Sequence, residues 1–416
     1  MSNFVSGASW ARSAKLLFVL LLSAPALGGC WDRLEIEERA VVLGISVDTA
    51  SQQAEVKEAE VSHLSGAFSA PEPNLIRVAA QIALPGRIPL GPGEGGGGGK
   101  GGSESTVWVI DVVGHSIDDA LMNLQQQISG RLFFGHLRVI VVSEAVAKRG
   151  LENLNDYLRR NSEVRRMAWM LIAKGNALKL IKAAPELERV PALYLLSTMD
   201  SAVKLGKFPV NYVGMFWSNA AKKGQEGFLP YVEIKPKQNV EISGMAYFKN
   251  DKMVGSTKPF EIAAYMAVKG LNPAGYRGFV QAEEPSETVM VYATSRKSVI
   301  ETSIRDGVPH IRVSIFTEIN LEEKVSEQFS VDTADFLREI EAKNRKALVS
   351  ASEKLIEETQ KTKTDIFGFG EYVRAKHPRF WRQQVKSKDG WQELYPRIEI
   401  EVVANSKVRR IGMKAK

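Results

Sequence analysis

The residue with the most distinctive chemistry is Cys30, because it is the single cysteine of a 416-residue chain. A thiol is a nucleophile and a metal ligand, and two thiols can form a disulfide. One cysteine cannot close a disulfide within its own chain. Cys30 stands in the segment LLLSAPALGGCWD, where it follows a leucine-rich run and two glycines. This position indicates that the chemistry of Cys30 concerns the amino-terminal part of the chain.

Residues 1–29 have the pattern of a leader that directs export. Arg12 and Lys15 make the start positive, and an apolar run opens with LLFVLLL and extends to Leu27. The run has about a dozen residues, whereas a membrane-spanning helix needs ~20. No later apolar segment of the sequence reaches that length. We therefore predict a signal peptide over 1–29 and no spanning helix in the rest of the chain.

The residues from Leu27 to Cys30 resemble a bacterial lipobox. The resemblance implies that the Cys30 thiol carries a diacylglyceryl group, that the chain is cut between Gly29 and Cys30, and that Cys30 becomes an N-acylated first residue. Two or more acyl chains, at about 0.8 kcal/mol per buried CH₂, hold a water-soluble body at a membrane. The alternative is an ordinary signal peptide with an incidental cysteine. A lipidated Cys30 leaves no thiol for a disulfide or a metal.

Other side chains that could form a catalytic or metal site are not grouped along the sequence. The histidines form no i,i+2 or i,i+4 pair and no HExxH motif, and the serines include no G-x-S-x-G elbow. Two adjacent carboxylate pairs, Asp118-Asp119 and Glu283-Glu284, would point in different directions on a helix. His136 is typical of a structural imidazole at the start of a strand. We therefore predict no enzyme activity, no catalytic residue, no metal and no cofactor.

A glycine-rich segment, GPGEGGGGGKGGSES over 91–105, invites comparison with a phosphate-binding loop. The pattern G-x-x-x-x-G-K-[ST] needs a glycine at 94 and a serine or threonine at 101. The chain has Glu94 and Gly101 at these positions, and no apolar strand leads directly into the loop. The segment is better interpreted as a flexible insert between strands.

Length and charge limit the remaining function classes. A chain of this length predicts about two or three domains. The formal net charge is +7, from 55 Lys and Arg against 48 Asp and Glu. The excess is mild, and no basic stripe with interleaved aromatic residues is present, so we predict no nucleic-acid binding. A weak attraction to an anionic membrane surface is compatible with this charge.

Strand and helix patterns divide the mature chain into three units. Strands alternate with amphipathic helices over 40–185, which indicates a covered sheet. EISGMAYFKNDKMVG predicts a hairpin, and a long helix is predicted over 333–362. The predicted units are an N-terminal α/β domain at 30–205 that contains the insert, a middle domain at 206–280, and a C-terminal α+β domain at 281–416.

Four segments in order resemble the Ger(x)C family of spore germination lipoproteins, the C subunits of nutrient germinant receptors. They are CWDRLEIEERAVVLGISVD, FGHLRVIVVSEAVAKRGL, GMAYFKNDKMVG and DIFGFGEYVRAKHPRFW. The similarity runs from Cys30 to about Gly412, nearly the whole mature chain. The glycine-rich insert departs from the family, because it is longer than the usual loop at that place.

The resemblance implies a lipoprotein anchored on the outer face of the inner spore membrane or cell membrane. It implies assembly with the A and B membrane subunits of a receptor that triggers germination when a nutrient is present. It also implies a mixed α/β fold of three domains, each a sheet packed with helices. The alternative is a solute-binding lipoprotein that delivers a small nutrient to a transporter. That protein would have two lobes around a cleft, whereas this sequence predicts several short sheets.

The segment DIFGFGEYVRAKHPRFW has two interpretations. Its glycines permit a sharp turn after the long helix, and its aromatic residues then pack beneath that turn. Alternatively, its aromatic and basic residues contact a partner subunit. Next to the anchor, Trp31 lies either in the membrane interface or against the protein body. The candidate partner surface consists of Trp31, Asp32, Phe367, Phe369, Arg374 and Trp381.

Overall fold

A computed structural model describes residues 14–15, 17–18, 38–50, 75–84, 106–183, 188–236, 239–284, 286–326 and 329–411. The predicted cleavage and lipidation site at Gly29 and Cys30 lies outside the described residues. The same holds for Trp31, Asp32 and the glycine-rich insert 91–105.

The larger of two described sheets is mixed and has nine strands, in the order β3-β2-β1-β5-β6-β7-β8-β9 with β4 beside the start of β1. The strands are β1 Arg39–Thr49, β2 Ile76–Ala83, β3 Val107–Gly114, β4 Arg131–Phe133, β5 Val139–Ser143, β6 Trp169–Ala173, β7 Phe228–Ile234, β8 Val240–Lys249 and β9 Lys252–Ser256. Strands β1, β5, β6 and β7 are parallel, and antiparallel strands extend the sheet on both sides.

Helices cover both faces of this sheet, so its parallel strands are continuous apolar runs such as WMLIA in β6. The helices are α1 Ile117–Gln125, α2 Glu144–Arg149, α3 Glu152–Arg160, α4 Ala177–Lys182, α5 Pro191–Lys204, α6 Val213–Ala221 and α7 Pro259–Val268. Alternate residues of β6 pack on opposite faces: Trp169 and Leu171 face α4 and α5, whereas Met170 and Ile172 face α1, α3 and α6.

The second sheet has four strands in the order β10-β11-β12-β13. They are β10 Arg277–Gln281, β11 Thr288–Arg305, β12 Val308–Lys324 and β13 Glu399–Arg410. Between β12 and β13 the chain forms α8 Ala334–Lys361, α9 Phe369–Lys376, α10 Pro378–Phe380, a π-helical turn Trp381–Val385, α11 Lys388–Leu394 and a 3₁₀ turn Tyr395–Arg397. This crossover returns the chain to the same edge, so β13 runs parallel to β12.

The mixed α/β class predicted from the sequence is confirmed. The described strands form two sheets, although one sheet was expected in each of three domains. Strands β7 to β9 of the predicted middle unit continue the first sheet, because β7 pairs with β6 through Ile172 and Tyr231. The division at 30–205, 206–280 and 281–416 stays a prediction. The long helix predicted over 333–362 is α8, with Thr333 and Thr362 as its caps.

One hydrophobic core connects the two sheets. It contains Val139 and Leu171 from the first sheet together with Ile311 and Val313 from the second. Within the described ranges, no helix combines the length and apolar character that a membrane crossing requires.

Candidate functional site: the Asp365 junction

The segment DIFGFGEY folds around the carboxylate of Asp365, which is 1% exposed. Asp365 Oδ1 accepts a hydrogen bond from the N–H of Gly368 at 2.7 Å. Oδ2 accepts from the N–H of Gly370 at 2.8 Å and from Nε1 of Trp391 at 3.0 Å. Gly368 has a φ of 74°, in the left-handed region that favours glycine. Asp365 therefore holds the turn that directs the chain from α8 into α9.

Burial raises the pKa of Asp365 to about 6, because an ionised carboxylate is poorly solvated in the core. The N–H groups of Gly370, Phe369, Trp391 and Gly368 stabilise the ionised form and oppose this rise. The carboxyl group thus changes its protonation state in mildly acidic solution.

The aromatic residues of the segment face inward. Phe367 and Phe369 are 0% exposed and stack with ring centroids 5.1 Å apart, and Tyr265 of α7 stacks on Phe367 at 5.5 Å. Trp381 is 5% exposed and lies 5.7 Å from Trp391 of α11. Phe367, Phe369 and Trp381 therefore do not form the candidate partner surface, because α7 and α11 cover them. Packing beneath the turn is the interpretation that the structure supports.

Arg374 remains at the surface, with half of its side chain exposed, and forms an ion pair with Glu371 at 2.6 Å. The other carboxylate oxygen of Glu371 accepts a hydrogen bond from the N–H of Gly224 at 2.8 Å. Arg374 thus orients a carboxylate that connects α9 to the loop before β7.

A second buried carboxylate, Glu226, lies beside Asp365 in this junction. Its N–H donates to the carbonyl oxygen of Asp365 at 2.8 Å. Its carboxylate accepts from Nζ of Lys388 at 2.8 Å, Nε2 of Gln392 at 2.6 Å and the N–H of Asn250 at 3.1 Å. Burial raises the pKa of Glu226, and Lys388 opposes that rise. No sequence pattern indicated a role for Glu226, because its side-chain partner Gln392 lies 166 residues away.

The junction offers structural connection rather than chemistry on a bound molecule. Both carboxylates are buried and are occupied by N–H or ammonium donors. Among the described residues, no three histidine, cysteine or acidic side chains are grouped closely enough to hold a metal. Lys269 also donates to the carbonyl oxygen of Phe367 at 2.7 Å, and burial lowers the pKa of this lysine.

Two known protein families match this chain, and each of them contains residues of the junction. Residues 32–234 match a family described as the spore germination protein N-terminal domain. Residues 243–412 match a family described as spore germination B3/GerAC-like, C-terminal. The chain belongs to the Ger(x)C family. Gly224 and Glu226 lie in the first matched region of this Ger(x)C chain, and Asp365 lies in the second, so the junction connects the two regions.

Relatives of this Ger(x)C chain match it over nearly its whole length. Spore germination protein KC of Bacillus subtilis (strain 168) is 26% identical over 97% of each chain. Spore germination protein B3 of the same organism is 22% identical over 98% of this chain and 99% of its own. The crystal structure of the GerBC protein superposes with a TM-score of 0.53 at 17% identity, over 80% of this chain and 94% of GerBC. The fold is therefore shared with GerBC.

Proposed function

We propose that this Ger(x)C chain is a lipid-anchored, non-enzymatic subunit of a nutrient germinant receptor. The observation that carries the proposal is the match of both Ger(x)C regions, 32–234 and 243–412, in order along one chain. The names of its relatives, spore germination proteins KC, B3 and A3, support a role in germination. In this role the protein assembles with the A and B membrane subunits, and the complex responds to a nutrient.

The anchor in this proposal is an acylated Cys30, exposed by cleavage after Gly29. The lipobox-like residues before Cys30 support it. Acyl chains would hold the protein on the outer face of the inner spore membrane without a spanning helix. Trp31 and Asp32 follow the anchor directly and, with the surface residue Arg374, are the remaining candidates for contact with the other subunits.

The mechanism we propose is scaffolding. Lipidation concentrates the folded body at the membrane, where its surfaces meet the A and B subunits. The Asp365 junction supports this role, because hydrogen bonds between the two Ger(x)C regions, from Gly224 to Glu371 and from Gln392 to Glu226, favour one fixed arrangement of those surfaces.

The test is the variant Cys30→Ala in the sporulating organism. We expect a folded protein that lacks the lipid by mass spectrometry, is largely lost from the membrane fraction, and supports little nutrient-triggered germination. Gly28→Ala is the matched control, because alanine is also a small residue and keeps the lipobox pattern. Full membrane retention and normal germination of Cys30→Ala would contradict the anchor.

A further inference from the structure

We propose that one end of the first sheet is a docking face for an anionic bilayer surface. This arginine face consists of Arg39, Arg131, Arg138, Arg165, Arg166 and Met167. The inference deepens the proposed anchoring, on which it rests, by stating which side of the molecule lies on the lipid.

The strand topology brings three of these arginines to one end of the sheet. Arg39 is the first residue of β1 and pairs in register with Arg131, the first residue of the parallel strand β4. Arg138 directly precedes β5, and its N–H donates to the carbonyl oxygen of Leu43 at 2.9 Å. Arg39 and Arg131 therefore lie side by side, and Arg138 lies further along β1, level with Leu43, where β5 begins.

The loop between α3 and β6 brings the other residues to the same end. Glu163 in this loop accepts a hydrogen bond from the N–H of Phe134, next to β4, at 2.8 Å. The carbonyl oxygen of Arg138 accepts from the N–H of Trp169, where β6 begins, at 2.9 Å. Arg165 and Arg166 are exposed just before β6, and Met167 beside them is 68% exposed.

In the part of the chain that the structure describes, none of the five arginines of this end has an ion pair with a carboxylate, although the guanidinium of Arg39 lies 4.7 Å from the centre of the Phe133 ring. Among the described acids, Glu38 beside Arg39 is exposed and Glu163 binds a backbone N–H. Glu35 and Glu37 also precede Arg39 in the sequence. Arg39 and Arg131 are neighbours across two strands, and like charges in such positions repel. An external anion would relieve this repulsion.

The carboxylates at the opposite end of the same strands have partners within the protein. Asp48 lies near the end of β1, Glu144 directly follows β5, and Glu233 lies near the end of β7. Glu144 forms an ion pair with Lys148, Glu233 forms ion pairs with Lys174 and Lys235, and Asp48 accepts hydrogen bonds from two backbone N–H groups. Among the described residues, the arginines at the other end have no such carboxylate partners, and a one-sided excess of cations orients a protein on a negatively charged surface.

A bilayer surface fits this face better than another ligand because of the tether. Arg39 lies nine positions after Cys30 in the sequence, and an extended chain covers at most about 3.6 Å per position, or roughly 32 Å in total. A lipid on Cys30 thus keeps the arginine face within reach of headgroup phosphates. Each arginine near an anionic membrane contributes about 1 kcal/mol to binding. The exposed thioether of Met167 adds an apolar group that can enter the interface.

The test uses lipidated full-length mature protein on vesicles of phosphatidylcholine with or without phosphatidylglycerol. An environment-sensitive fluorophore is attached at Met167→Cys, or at Val325→Cys as the control. Val325 is 62% exposed and lies at the end of β12 in the second sheet. We expect brominated lipid to quench the label at 167 but not at 325. This quenching requires phosphatidylglycerol and disappears at roughly 1 M salt, where the Debye length is about 3 Å.

A charge variant tests the arginines themselves. Arg165→Gln/Arg166→Gln removes two adjacent exposed cations from the face, and Arg345→Gln/Lys346→Gln removes a matched adjacent pair from α8. Two charges at about 1 kcal/mol each predict a roughly 30-fold shift toward the undocked state for the first variant. The control pair leaves the quenching at 167 unchanged.

The outcomes separate the docking face from the anchor. If lipidated protein binds the vesicles but the labels at 167 and 325 are quenched equally, or neither is quenched, the proposed docking face is wrong. The lipid anchor remains supported in that case. The docking face is also wrong if quenching at 167 does not change with salt or with lipid charge. If mass spectrometry finds no lipid on Cys30 but salt-sensitive binding through 167 persists, the anchor fails and the face is supported.

Discussion

The backbones of Gly224 and Gly370 lie in contact at the Asp365 junction. A Cβ atom on Gly370 would lie 2.6 Å from the Cα of Gly224 and 2.6 Å from the indole ring of Trp391. Real Cβ atoms do not approach heavy atoms so closely, so each of the two Ger(x)C regions contributes a glycine that the other requires. The contact has no room for a methyl group on either side.

We therefore expect Gly370→Ala and Gly224→Ala to destabilise the protein. The added methyl group would force the backbone segments apart and disturb the hydrogen bonds of Asp365, a cost of about 2–4 kcal/mol. Thermal or denaturant unfolding measures it. The control is Gly278→Ala in β10, where a Cβ would meet nothing within 4 Å. Equal stability of the Gly370→Ala and Gly278→Ala variants would show that the close contact is absent.

The junction also predicts a pH dependence that Asp365→Asn should abolish. The pKa of about 6 for folded Asp365 is higher than the value of about 3.9 for an unfolded aspartate. At a pH between these two pKa values, the folded state binds a proton more readily than the unfolded state does. The contribution of Asp365 to the free energy of unfolding therefore grows as the pH falls from about 6 to about 4, and is lost as the pH rises again.

Asparagine does not titrate and would direct an NH₂ group at N–H donors, so Asp365→Asn costs about 2–4 kcal/mol near neutral pH. The stability difference from the wild type should widen as the pH falls toward 4. Urea unfolding at several pH values measures it, with Glu323→Gln, an exposed carboxylate, as the control. A difference that narrows as the pH falls would mean that the pKa of Asp365 is not raised.

The regular elements were the most predictable part of this fold. The apolar stripe of α8, with Phe336, Ile340, Leu355 and Ile356 buried, recurs at helical spacing, and Thr333 is a favourable N-cap. The continuous first sheet was not predictable in the same way. Strand β6 pairs with β7 across three intervening helices and several loops, and local sequence patterns do not encode such a pairing.

Local sequence patterns also could not predict whether single residues of the candidate site are buried. Phe367 and Phe369 stand among glycines and charged residues, a pattern compatible with both an exposed and a buried loop. Their burial depends on Tyr265, from a distant helix. Glu226 lies in the polar sequence KKGQEGF, typical of a surface loop, yet it is 2% exposed because Lys388 and Gln392 cover it.

Removing the cation beside Glu226 should therefore be costly. Lys388→Met keeps the length of the side chain but leaves a buried carboxylate without its ion pair, and we expect a loss of about 2–4 kcal/mol at neutral pH. Burial already raises the pKa of Glu226, and loss of Lys388 would raise it further. The deficit should shrink as the pH falls, because a protonated Glu226 needs no cation.

Unfolding of Lys388→Met at neutral and acidic pH measures this effect. Arg338→Ala is the control, because it breaks the exposed pair with Asp335, whose side chain is 91% exposed. Exposed ion pairs contribute little to stability. If Lys388→Met were no more destabilising than Arg338→Ala, this would contradict a buried ion pair between Glu226 and Lys388.

Arg296 in β11 is 3% exposed, and its guanidinium connects the second sheet to α7 and to the loop that follows α7. It donates to the carbonyl oxygen of Ala263 in α7 at 3.2 Å, and to those of Pro273 and Ala274 in the following loop. Burial lowers its pKa to about 10, so it remains charged at neutral pH.

Arg296→Lys keeps a positive charge but replaces a planar fork with a single ammonium, which cannot reach carbonyl groups on both α7 and the loop. A buried carbonyl without a donor costs about 1–3 kcal/mol, and a buried lysine loses its proton more readily than arginine. We expect Arg296→Lys to lower the free energy of unfolding by about 2–4 kcal/mol. The control is Arg305→Lys, at the exposed end of the same strand. Equal stability of the two variants would mean that charge alone, rather than the guanidinium geometry, holds α7 against the second sheet.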